Sequence, residues 1–90
     1  MKPIRWTYHA VQSLNERRLS RTIAEQTISH PEFTTPDPPD REIYMRRFFD
    51  QSNQREMLLR VVVAETEQEI VIVTLYKTSQ IDRYLKGLRA

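Results

Sequence analysis

Glu69-Ile70-Val71-Ile72-Val73-Thr74-Leu75-Tyr76-Lys77 is the longest apolar run in this chain, and β-branched residues dominate it. Such a run, bounded by polar segments, reads as a central β-strand. Side chains alternate along a strand, so Thr74 and Tyr76 share one face while Val73 and Leu75 share the other. A hydroxyl and a phenol on one face of an otherwise apolar strand mark that face as a candidate site. Immediately upstream, Glu65–Gln68 is a tight polar connection and Asp50–Gln54 a slightly longer one. They separate two more strands, Met57–Ala64 and Arg41–Phe49, and connections this short join antiparallel neighbours. In Met57–Ala64, Leu59, Val61 and Val63 alternate with Leu58, Arg60 and Val62. A charged Arg60 assigns the second set to the more open face. Arg41–Phe49 does not resolve its register, because Tyr44, Arg46 and Phe48 alternate with the equally mixed Ile43, Met45 and Arg47.

Outside this meander the period changes. Ile4-Arg5-Trp6 is a short extended piece, and the Thr7 hydroxyl is suited to cap a helix over about Tyr8–Arg18. Ala10, Val11 and Leu14 form its apolar stripe, while His9, Ser13, Glu16 and Arg17 lie on another face. Ser20 caps a second helix with Ile23, Ala24, Thr27 and Ile28 inward, ended by Pro31. His30–Asp40 reads as a loop stiffened by its prolines. Ser79 caps a last helix with Asp82 in its first turn and Ile81, Tyr84, Leu85 and Leu88 as its stripe, Gly87 lying near its end. This order predicts one α+β domain over residues 1–90, a small antiparallel sheet with helices packed on one face. The expected core is Ala10, Leu14, Ile28, Val61, Val63, Val73 and Leu75.

Composition excludes several function classes. Gly87 is the single glycine, so no phosphate-cradling loop and no dinucleotide fingerprint can be written. ATP, GTP, NAD and FAD are therefore not expected, and no cofactor is assigned. Cysteine is absent, which removes thiolate metal sites and cysteine nucleophiles. The two histidines, His9 and His30, stand far apart without a matched carboxylate motif, so no metal is expected. Arg60 and the Glu65–Glu69 segment interrupt every long apolar stretch, so no membrane span is expected. Met1–Trp6 lacks the apolar core of a signal peptide, and with no cysteine the expected location is the cytoplasm. Net charge is only +2, but it is segregated: residues 1–30, 41–60 and 77–90 are basic, while 31–40 and 61–76 are acidic. If the fold gathers the basic segments, one face becomes an anion-binding surface.

The order of short motifs supports a comparison. His9-Ala10 opens the first helix, which ends in Glu16-Arg17-Arg18-Leu19-Ser20. A proline-rich loop and Asp40-Arg41-Glu42-Ile43-Tyr44 follow, and the chain closes on Ile72-Val73-Thr74-Leu75-Tyr76-Lys77-Thr78-Ser79. In this it resembles the family catalogued as domain of unknown function 4258. That family is similar to the BrnT-type and RelE/ParE-type toxins of toxin–antitoxin pairs, which are placed with the barnase-like, metal-independent ribonucleases. The chain departs from the usual pattern in having Arg18-Leu19 where a glycine follows the Glu-Arg pair, and in lacking a glycine before Arg41. The resemblance implies a barnase/RelE-like fold, RNA as substrate and a cognate antitoxin protein as partner. It also implies that His9, Arg17, Arg41, Thr74 and Tyr76 fall on recurring positions.

RNA can be cut without metal because its 2′-hydroxyl is an internal nucleophile. The enzyme must supply a base, an acid and cations for the developing phosphate charge, each acid–base group contributing ~10²–10⁴-fold. His9, Arg60 and Tyr76 are the candidate catalytic residues. Arg17, Arg41, Tyr44 and Thr74 are the candidate substrate-binding residues, guanidinium being suited to phosphate. Each has a competing structural reading: His9 bonding nearby backbone, Arg17 pairing with Glu16, Asp40 or Glu42, Tyr76 half-buried in the core, Thr74 a simple strand former. Two functions remain open: a metal-independent endoribonuclease toxin, or a non-catalytic module of the same fold that binds RNA or protein.

Overall fold

The protein is described by a computed structural model over residues 2–86. Gly87 and Leu88, assigned above to the last helix, lie outside the described residues. Eight elements follow one another: β1 (Ile4–Trp6), α1 (Tyr8–Glu16), α2 (Arg21–Ser29), β2 (Phe33–Asp37), β3 (Arg41–Asp50), β4 (Arg55–Glu65), β5 (Ile70–Thr78) and α3 (Ile81–Leu85). The class is α+β. The sheet has five strands in the order β1-β5-β4-β3-β2. It is mixed rather than purely antiparallel, because β1 pairs with β5 in parallel, Ile4 opposite Ile70 and Trp6 opposite Ile72. The antiparallel expectation came from the hairpin-connected strands, whose direction is set by their turns, and left the pairing of Ile4–Trp6 open. Nothing local sets the direction of a three-residue strand whose partner lies at the other end of the chain.

A second correction concerns the proline-rich segment. Phe33–Asp37 is a strand, paired antiparallel to β3 with Phe33 opposite Met45 and Pro36 opposite Glu42. It lies at the outer edge of the sheet, where a proline that lacks an N–H can face solvent without breaking a ladder.

Helix ends follow the local chemistry. Thr7 Oγ1 accepts from the Ala10 amide at 3.1 Å, and Ser20 Oγ accepts from the Ile23 amide at 3.2 Å. At the end of α1, the Leu19 amide reaches Leu14 O at 2.9 Å and the Arg18 amide reaches Asn15 O at 3.3 Å. This paired closure is a Schellman motif, and it puts Arg18 at φ 52°, in the left-handed region that glycine favours. At α3 the cap is Gln80, not Ser79, and no side chain bonds there.

The main core lies between the sheet and α1 and α2. Ala10, Ala24 and Ile28 meet Leu59, Val61, Val63, Ile70, Ile72 and Leu75, with Leu14 packed against them. Val73, expected in this set, is only half-buried. The cause is a bulge: Val63 lies opposite Ile72 but Val62 lies opposite Thr74, leaving Val73 as the extra residue. Ile72 and Leu75, three apart, therefore both reach the core. Beyond the bulge alternation resumes, with Thr74, Tyr76 and Thr78 opposite Val62, Arg60 and Leu58.

Those residues form the other face, where Met45 and Leu58 are also fully buried. This face is not bare. The Tyr84 ring of α3 lies against Arg60, so the third helix packs opposite the first two rather than beside them.

Candidate functional site

From Met57 to Val63, every residue of β4 is buried except Arg60. The register sets Arg60 opposite Tyr76. Arg60 Nη1 donates to the Tyr76 hydroxyl. The guanidinium carbon lies 5.5 Å from the centre of the Tyr76 ring and 4.1 Å from that of Tyr84. A cation stacked on aromatic faces in a partly dry setting is held firmly in direction. Arg60 Nε, by contrast, is buried and has no hydrogen-bond partner among the described residues. Burial pushes the Tyr76 phenol above its usual range, against the opposing charge of Arg60, and the Tyr84 side chain adds to the rise. Tyr76 is thus held protonated at neutral pH, as a donor rather than a base.

A second group forms where β1 stops. Beyond Trp6 the β5 edge has no strand partner among the described residues, and α1 takes its place. Thr7 Oγ1 donates to Ile72 O at 2.8 Å, and Arg17 Nη1 donates to Leu75 O at 2.7 Å. Between them, one turn apart on α1, His9 Nε2 is 3.5 Å from Ser13 Oγ, and Ser13 Oγ is 3.5 Å from Thr74 Oγ1. Ser13 is buried and His9 is exposed. Thr74 and Tyr76 are two residues apart on the regular part of β5, so their Cα atoms are about 7 Å apart along one face. His9-Ser13-Thr74 and Tyr76-Arg60-Tyr84 are therefore two short chains of contacts joined through adjacent positions of one strand.

The remaining candidates stand elsewhere. Tyr44 packs against the main core on the α1–α2 side of the sheet, and its hydroxyl reaches Glu65 at 3.4 Å. It is on the opposite face from Arg60, because β3 pairs Met45, not Tyr44, with Arg60. Arg41 is exposed at the start of β3, opposite Asp37, two strands away from β5. Of the guanidiniums proposed to bind substrate, only Arg17 adjoins the group, and one of its nitrogens already holds the β5 edge.

Tyr84 and Ser13 were not singled out from sequence. Ser13 carried a signal, since it lies one turn from His9 on the same helical face. Tyr84 carried none, being an ordinary member of the α3 apolar stripe until the fold set that stripe over Arg60. Among the described residues, no three His, Asp or Glu side chains gather to hold a metal, and no helix is long and apolar enough to cross a membrane.

A family model described as a domain of unknown function, DUF4258, matches residues 6–77, so the chain belongs to that family. The match runs from the last residue of β1 to Lys77 in β5 and includes every candidate site residue except Tyr84. No curated protein and no solved structure matches the chain.

Proposed function

We propose that this protein is a cytoplasmic, metal-independent endoribonuclease, acting as the toxin of a toxin–antitoxin pair. The observation that carries the reading is the pair of contact chains meeting on β5, a histidine reached through Ser13 and Thr74 beside a protonated Tyr76 aligned by Arg60. Imidazole is the side chain best suited to exchange a proton near neutral pH. In this reading His9 takes the proton of the RNA 2′-hydroxyl, whose oxygen attacks the adjacent phosphorus. The bond from phosphorus to the 5′-oxygen breaks, Tyr76 returns a proton to that oxygen, and a 2′,3′-cyclic phosphate remains. Arg60, with Arg17 at the rim, balances the charge that builds on the non-bridging oxygens. The toxin assignment is supported by the resemblance of the family to the BrnT and RelE/ParE toxins, and the partner would be an antitoxin protein.

The second reading, an RNA- or protein-binding module without catalysis, is favoured by one observation: Arg60 Nη1 and the Tyr76 hydroxyl already bond each other. The deciding experiment is cleavage of end-labelled RNA by the purified protein in EDTA. The endoribonuclease reading expects products with cyclic phosphate ends and a loss of ~10²-fold or more in His9→Ala and in Tyr76→Phe, both still folded. Salt-sensitive RNA binding without cleavage supports the module. Neither binding nor cleavage refutes an RNA role altogether.

A further inference from the structure

Arg60 has an unused edge. Its Nη1 is engaged by Tyr76, yet Nε is buried with no partner among the described residues. An unpartnered buried donor costs free energy, and the edge it belongs to, Nε with the second Nη, is the fork that grips phosphate in a bidentate manner. The Tyr84 ring lies over this guanidinium at 4.1 Å. A flat ring stacked on an arginine occupies the position a nucleobase would take.

The element carrying Tyr84 is weakly anchored. α3 has five residues, none of them buried, and its N-cap makes no side-chain bond. It is tied to the preceding strand by the Gln80 amide, which donates to Thr78 Oγ1 at 3.0 Å, and by a side-chain hydrogen bond between Tyr84 and Tyr76, while Arg83 bonds back to Gln80. A helix this short is marginal without packing. Nor does its first turn close onto the sheet. An open groove of about 710 Å³ separates Ser79–Arg83 from Arg47, Arg55 and Glu56.

We infer that α3 is a displaceable cover, and that Tyr84 plugs the Arg60 site in the closed state. Opening frees the Arg60 fork for an RNA phosphate and vacates the ring position for the adjoining base. This rests on the reading that Arg60 receives RNA phosphate, and adds that the site is self-inhibited. The ligand must then compete with Tyr84, and its apparent affinity is lowered by the fraction of molecules that are closed.

The test uses full-length protein and a 2′-O-methyl RNA oligonucleotide, which binds without being cut. Tyr84→Ala should tighten binding about tenfold, which corresponds to about 1.4 kcal/mol. Tyr84→Phe, which keeps the ring and loses the hydrogen bond to Tyr76, should bind much closer to the wild type than Tyr84→Ala does, and Arg60→Ala should remove the gain in the Tyr84→Ala background. If Tyr84→Ala binds no tighter while Arg60→Ala weakens the wild type, the cover is refuted and the phosphate reading stands. If Arg60→Ala changes nothing in either background, both are refuted. Hydrogen exchange on the wild type supplies a check that needs no variant: α3 amides should exchange far faster than those of β4 and β5. Protection equal to that of the core strands would overturn the cover.

Discussion

Replacing Leu75 and Val73 separately by alanine tests the bulge in β5. Leu75 is fully buried among Val61, Ile72 and Ala10, whereas Val73 is the extra, half-buried residue opposite Val62 and Val63. Leu75→Ala removes three carbons, at ~0.8 kcal/mol each about 2.4 kcal/mol of transfer free energy. The cavity left in a close-packed site raises this to ~3–4 kcal/mol. Val73→Ala removes two carbons that already see solvent, so the loss is ~0.5–1 kcal/mol. A 90-residue domain has a total stability of only ~5–13 kcal/mol. With an m-value of ~1 kcal/mol/M in urea, Leu75→Ala should lower the unfolding midpoint by ~3 M and Val73→Ala by less than ~1 M. Equal losses, or a larger one at Val73, would mean that β5 alternates without interruption. Ile72 would then leave the core and join Thr74 and Tyr76 on the opposite face.

Other expectations follow from particular contacts. Arg18 holds a left-handed φ of 52° in the closure of α1, so Arg18→Gly should raise stability by ~0.5–1 kcal/mol, read as a higher melting temperature; a loss would show that its side chain matters more than its backbone. Asp50, bonded by Lys77, Asn53 and Ser52, and Glu32, bonded by Arg47, both have carboxyls held below the usual range. A depressed folded pKa stabilises above the unfolded value near 4 and loses that effect as the acid protonates, so thermal stability should drop between about pH 5 and pH 2. Asp50→Asn should flatten part of that drop; an unchanged slope would show the Lys77 pair contributes nothing. RNA cleavage should survive EDTA and gain nothing from added Mg²⁺ or Zn²⁺, and rescue by either ion after chelation would refute the acid–base mechanism.

Much of the architecture was legible because it is local. The β-branched run of β5, the alternation in β4, and the Thr7 and Ser20 caps each arise from interactions within a few residues, so the sequence carries them directly. The placement of Arg60 and Tyr76 on one face was legible for the same reason, since both lie in regular strand. What the tertiary structure decided involves partners distant in the chain. The parallel seat of β1, the edge strand hidden behind prolines, and the bulge at Val73 depend on which backbone edges are left unpaired once the central hairpins form. Tyr44 could not be assigned a face from a strand of mixed polarity; only pairing with β4 turned it toward α1 and α2. Tyr84 became part of the site when α3 crossed to the other side of the sheet. Which cation that ring would meet was set by packing alone.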